Sequence, residues 1–93
     1  MSLLNVAVWG LGDHAKNRIL PALSAMDEIK LIGVCSRNGQ VVDTCAKKWD
    51  CYGWNDSEQM LNSTEVDVVY IATPIGVHFA LAKRAIEAGK HVW

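Results

Sequence analysis

Gly10-Leu11-Gly12-Asp13-His14-Ala15 follows directly on the apolar run Val6-Ala7-Val8-Trp9 and precedes a segment with helical spacing. A strand, a tight glycine turn and a helix in that order form the pattern G-x-G-x-x-A, the alanine-ended variant of a dinucleotide-binding turn. Gly10 lets the chain leave the strand sharply, where a Cβ would clash. Gly12 leaves room for backbone to approach a pyrophosphate, and Ala15 is small enough for the helix to lie close on the strand. The unpaired N–H groups and partial positive charge of the helix N-terminus then face the phosphates. Three small residues alone are a weak signal; placed between a strand and a helix they carry weight.

The rest of the chain alternates in the same way. The first strand is read as residues 4–9 and the first helix as 13–26, with Ala15, Ile19, Leu23 and Met26 at helical spacing. Pro21 lacks an N–H and disfavours helical geometry at Leu20, which predicts a kink or break there. A nearly continuous apolar run over 30–35 reads as a strand buried on both faces. A helix over 38–49 and a short strand over 51–54 follow. Asp56 or Ser57 can cap a brief helix reaching Asn62. The valine-rich run 66–72 is the fourth strand. Thr73-Pro74 ends it, a helix covers 76–88 with Gly89 as its C-cap, and 90–93 opens a fifth strand. The fold class is therefore α/β: a Rossmann-type, doubly wound parallel sheet in three layers, with the chain stopping near the start of strand five. An order of 3-2-1-4-5 brings the turn at 10–15 and the turn at 73–78 together above the switch point, where ligands of such sheets bind.

Composition narrows the classes of partner. Ninety-three residues make one small domain, and 51% hydrophobic with 20% charged residues suits a packed core. A net charge of −1 offers no basic footprint for nucleic acid or anionic membrane, and no apolar run is long enough to span a bilayer. The N-terminus lacks the features of a signal peptide, so a cytoplasmic address is expected. Cys35, Cys45 and Cys51 are odd in number without C-x-x-C spacing, and His14, His78 and His91 are scattered. Reduced, structural cysteines and no metal site are expected.

The end of the second strand selects the cofactor. A carboxylate there would bind an adenosine ribose and repel a 2′-phosphate. Ser36-Arg37 instead offers a hydroxyl and a guanidinium fork, with Asn38 as a further amide, which favours NADP over NAD. The alternative is an Arg37 that stacks on adenine or stands solvated at the surface.

Taken together, residues 10–15, Cys35-Ser36-Arg37, the run Glu65 to Pro74, His78, and Ala85-Ile86-Glu87-Ala88-Gly89-Lys90-His91-Val92 resemble the Gfo/Idh/MocA family of oxidoreductases. The resemblance covers essentially the whole chain and is more specific than the glycine motif. It implies that Gly10, Leu11, Gly12, Asp13 and His14 lie along the pyrophosphate and that Ser36 and Arg37 meet the adenosine end. Thr73, Pro74 and His78 are implied to border the nicotinamide. Read only from their residue types, Thr73-Pro74 is equally a strand end and helix start, and His78 a packed or solvated histidine.

Two departures matter. Ile75 stands where the family has asparagine, removing an amide near the nicotinamide. The chain also stops at Trp93, before the family's E-K-P, whose lysine is the catalytic residue, and before the C-terminal substrate domain. The 93 residues are expected to bind NADP or NAD without turnover and to contain no catalytic residue. They would be the cofactor half of an enzyme moving hydride to or from a sugar, cyclitol or related alcohol, a small-molecule substrate, in an enzyme that could be a homo-oligomer. A non-catalytic dinucleotide-binding or sensing module is the alternative, and an interaction scaffold that has lost the cofactor is a third. Apart from its full-length context the domain is expected to be marginally stable or self-associating, with Trp93 part of an uncovered surface.

Overall fold

The structure, a computed structural model, describes residues 3–73 and 75–93. Its five strands are β1 (Leu4–Trp9), β2 (Ile29–Cys35), β3 (Tyr52–Trp54), β4 (Val68–Ile71) and β5 (His91–Val92). They form one parallel sheet in the order β3-β2-β1-β4-β5, the doubly wound arrangement expected from the sequence. The helices are α1 (Leu20–Ser24), α2 (Gly39–Trp49), α3 (Ser57–Asn62) and α4 (Ile75–Glu87).

Both sheet faces are covered, which is why the strands read as unbroken apolar runs. Along β1, Val6 and Val8 point into a core shared with Ala15, Leu20 and Leu23 before and in α1, and with Val42 and Cys45 of α2. Ala7 and Trp9 point the other way, against Met60 and Leu61 of α3 and Ala85 of α4. In β2 the pairing skips a residue: Val6 faces Leu31, but Ala7 faces Gly33, so Ile32 is the extra residue of a bulge. Ile32 and Cys35 consequently share the α3 and α4 face while Leu31 and Val34 share the other. The ring of Trp54 lies where a side chain at position 33 would stand, so a Cβ on Gly33 would collide with it.

The break expected at Pro21 is absent, and the chain solves the problem differently. Leu20 is helical (φ −61°, ψ −46°), and the irregularity lies before it, in a π-turn over Ala15–Ile19. The helix opens at Asp13 and His14, passes through this wide turn, and resumes α geometry with Pro21 in its first turn. Pro21 has no N–H to give to the carbonyl of Asn17 four residues earlier, and the wide turn places the irregularity of the helix directly ahead of that missing bond. Strand four is also shorter than its sequence run, 68–71 instead of 66–72. Val66 is buried without being in the strand, and Asp67 is used as a staple. Its carboxylate accepts the Asn5 N–H at 2.9 Å, its own N–H donates to Asn5 O at 2.9 Å, and its carbonyl accepts from His91 N–H at 3.1 Å. Gly89, with φ +83°, ends α4 as expected, and the Lys90 N–H donates back to Ala85 O at 3.0 Å. No described helix is long and apolar enough to cross a membrane.

Candidate functional site

The carboxyl ends of β1, β2 and β4 open together on a cleft of about 450 Å³. Trp9 and Gly10 come from the end of β1, Cys35, Ser36 and Arg37 from the end of β2, and Asn55 and Ser57 from the turn after β3. Thr73 follows β4, and Val77, Leu81 and Arg84 line the cleft from α4. The crevice thus lies beside the switch point between β1 and β4, where parallel sheets of this order bind ligands.

Gly10 shapes the entrance. Its φ of +110° lies in the left-handed region, and a Cβ would stand 2.8 Å from Thr73 Cγ2 and 2.9 Å from the Ala72 carbonyl carbon. The turns that follow β1 and β4 therefore touch, as the strand order requires. The Gly10 N–H donates to Cys35 O at 2.8 Å and the Ala72 N–H to Trp9 O at 2.8 Å, which binds the three strand ends into one rim. Gly12 is different: its backbone is not left-handed, and nothing among the described residues lies within 4 Å of where a Cβ would be. No packing explains its smallness. The open space beside it, at the start of a helix, fits a phosphate brought against backbone.

The remaining residues of that turn divide. Leu11 is 8% exposed and buries its side chain with Ala15 in the core on the α1 side, so only its backbone can meet a ligand. Asp13 and His14 are exposed and do not line the cleft. The Asp13 carboxylate lies 3.8 Å from Lys16 Nζ in a solvent-screened pair that fixes neither side chain.

At the β2 end, the Ser36 N–H donates to Trp54 O at 3.2 Å and the Ser36 hydroxyl accepts from the Asn38 N–H at 3.2 Å. Arg37 is exposed at the mouth of the cleft. Asn38 serves the fold, because its side-chain oxygen caps α2, accepting from the N–H groups of Gln40 at 3.1 Å and Val41 at 3.3 Å. That oxygen is therefore committed, and only the NH2 of the amide remains for a ligand.

Around β4, a His78 ring nitrogen is hydrogen-bonded to the Thr73 carbonyl, which ties α4 to the preceding loop. His78 does not line the cleft. The Thr73 hydroxyl oxygen is buried and has no partner among the described residues, a group that a ligand in the cleft could satisfy. Pro74 lies outside the described residues. Of the ten residues singled out from sequence, Gly10, Ser36, Arg37 and Thr73 thus meet at the cleft, while Leu11, Gly12, Asp13, His14 and His78 border it or face away.

Trp9, Asn55, Ser57 and Arg84 belong to the cleft and were not among those ten. The rule that every parallel strand points its carboxyl end at the crevice identifies Asn55 and Ser57. Arg84 lies at i, i+4, i+7 with Val77 and Leu81, a basic residue on the sheet-facing stripe of its helix. Its guanidinium lies 5.4 Å over the Trp9 ring, donates to Ser57 Oγ at 3.2 Å, and forms an ion pair with Glu58. The Cys35 thiol on the cleft floor is pushed up to about 11, chiefly by burial and further by the Asp56 carboxylate, with Arg84 pulling the other way. It stays protonated at neutral pH and is no nucleophile. Among the described residues no cluster of three or more His, Cys, Asp or Glu is arranged to hold a metal ion.

The family model for the Gfo/Idh/MocA oxidoreductases, described as an oxidoreductase family with an NAD-binding Rossmann fold, matches residues 4–93. The chain is 34% identical over 89 residues to a dTDP-3,4-didehydro-2,6-dideoxy-α-D-glucose 3-reductase of Streptomyces violaceoruber, covering 96% of this chain and 26% of that protein. Its structure resembles the 3-ketoreductase of Actinomadura kijaniata solved with TDP-benzene and NADP, at a TM-score of 0.93 and 30% identity, over 98% of this chain and 29% of the other. It also resembles the apo scyllo-inositol dehydrogenase of Lactobacillus casei, at a TM-score of 0.87 and 25% identity, over 98% and 27%. The chain spans about a quarter of the length of these relatives. The parallel sheet, the glycine turn at its switch point and the match over residues 4–93 agree: this chain belongs to the Gfo/Idh/MocA oxidoreductase family, as its NAD-binding Rossmann domain.

Proposed function

We propose that residues 1–93 are the cofactor domain of an NADP-preferring oxidoreductase acting on a sugar, cyclitol or related alcohol. Substrate contacts and the family's catalytic lysine would lie in sequence beyond Trp93. The observation that carries the reading is the cleft at the strand ends, where Ser36 and Arg37 replace the carboxylate that would select NAD. When bound, the nicotinamide supplies the hydride chemistry. The chain's own residues bind and orient. The backbone of the Gly10 to His14 turn and the helix behind it receive the pyrophosphate. Ser36 donates a hydroxyl and Arg37 a guanidinium to the 2′-phosphate, and the Thr73 hydroxyl gains the partner it lacks. His78 would serve the nicotinamide side by holding the loop through the Thr73 carbonyl.

The relatives named above support the substrate class: one is a reductase of a dTDP-linked keto sugar, another an inositol dehydrogenase. The full-length protein is expected to work in the cytoplasm on such a small molecule, in an enzyme that could be a homo-oligomer. Calorimetric titration of the 93-residue chain with NADPH and NADH tests the cofactor reading, with submillimolar binding and tighter NADPH expected. Arg37→Asp should cut the preference for NADPH by roughly tenfold or more, since it replaces an attraction to the phosphate by a repulsion. An unchanged preference would remove Arg37 from the argument.

A further inference from the structure

Arg84 lines the cleft with its charge partly spoken for. Arg37 and Arg84 are the charged side chains among the described residues that line the cleft. Arg37 is exposed and carries no ion pair among the described residues, whereas Arg84 is paired with Glu58, which does not line the cleft. Glu58 is 64% exposed, and its carboxylate meets Arg84 without itself lining the cleft. The other carboxylate nearby is Asp56, whose oxygen caps α3 by accepting the Glu58 N–H at 2.9 Å. The Cys35 thiol on the cleft floor senses both Asp56 and Arg84, so both charges act on the interior of the cleft. Two cations therefore line the space, and the carboxylates of Asp56 and Glu58 do not.

We propose that Arg84 is a second determinant of cofactor specificity, and that its ion pair with Glu58 sets how strongly the cleft prefers an adenosine carrying an extra phosphate. The inference rests on the reading of the cleft as the adenosine site. Trp9 and Ser57 hold the guanidinium at one place, so its charge acts on the ligand from a fixed distance with no ordering cost at binding. A 2′-phosphate adds close to two negative charges, which makes the difference between NADPH and NADH a measure of the local field. Removing Arg84 leaves Glu58 uncompensated and lowers that difference; removing the Glu58 charge exposes Arg84 and raises it.

Titrating NADPH and NADH against the unsubstituted chain, Arg84→Met, Glu58→Gln and the double variant at low ionic strength gives four ratios. We expect Arg84→Met to lower the NADPH to NADH ratio by roughly threefold to tenfold and Glu58→Gln to raise it by a similar factor. The double variant should return within about twofold of the unsubstituted chain, because its net charge is restored, and added salt should shrink every difference. A structural role alone would weaken both cofactors together and leave the ratio fixed. Ratios unchanged in both single variants, with NADPH still binding the unsubstituted chain, overturn the inference and spare the cofactor reading. A chain that binds neither dinucleotide overturns both. Glu58 is exposed and its replacement isosteric, so that variant carries the test if Arg84→Met fails to fold.

Discussion

Gly10 and Gly12 look alike in the motif and differ in physical cause. At Gly10 the left-handed backbone and the contact with Ala72 and Thr73 both exclude a side chain. Gly10→Ala should cost about 2–4 kcal/mol of folding stability, read from the urea midpoint. At Gly12 a Cβ meets nothing among the described residues, so Gly12→Ala should leave stability within about 0.5 kcal/mol. Its effect should appear only with ligand, as roughly tenfold weaker NADPH binding in the same titration. A Gly12→Ala chain that binds NADPH unchanged would show that the phosphate does not approach this backbone.

Two helices, α2 and α3, are closed at their N-termini by side chains, Asn38 and Asp56. Asn38 caps α2 with two hydrogen bonds to backbone N–H groups, and Asn38→Ala should cost about 1 kcal/mol with little change in cofactor preference, measured by denaturation and titration together. A large shift in preference would mean that the remaining NH2 of Asn38 reaches the ligand. The strands and helices were legible in the sequence because apolar periodicity and turn residues report burial directly. Periodicity marked strand four as 66–72 since Val66 is as buried as a strand residue, but it cannot tell a ladder from a staple such as Asp67. Pro21 was legible as a perturbation, while its accommodation by a wide turn one step earlier depends on hydrogen-bond register that residue types do not encode. Likewise Ser36, Arg37 and Gly10 stood out by chemistry and position. Arg84 did not, because its place in the cleft follows from α4 packing over Trp9, a tertiary contact.

Over the whole molecule, the two core layers leave large apolar side chains at the surface: Phe79 is 85% and Ile86 63% exposed on α4, and Trp93 is 48% exposed. The two layers also hide thiols. Cys35 and Cys51 are each raised to about 11 from the ordinary 9.0, mainly by burial. Both therefore keep their protons in the folded state at pH values where the unfolded chain has lost them. Their contribution to stability is complete below pH 9 and disappears as pH rises from 9 to 11. Urea midpoints measured across that window should fall, and Cys35→Ala with Cys51→Ala should remove the part of the fall due to these two thiols, leaving that of Cys45, which burial also raises. Equal slopes with and without the two cysteines would rule this out. The same protonation makes Cys35 slow to alkylate at about pH 8 in the folded chain.

The bulge in β2 has a bearing on ancestry. Pairing with β1 resumes in step at Gly33 and stays in step through Cys35, so the extra residue at Ile32 is absorbed locally. A lineage lacking that residue would keep the same partners for Val34 and Cys35 and deliver Ser36 and Arg37 to the same rim. The rim that meets the nucleotide is thus set by the pairing from Gly33 to Cys35, and deleting Ile32 should cost the packing of one buried side chain while leaving the choice of cofactor alone.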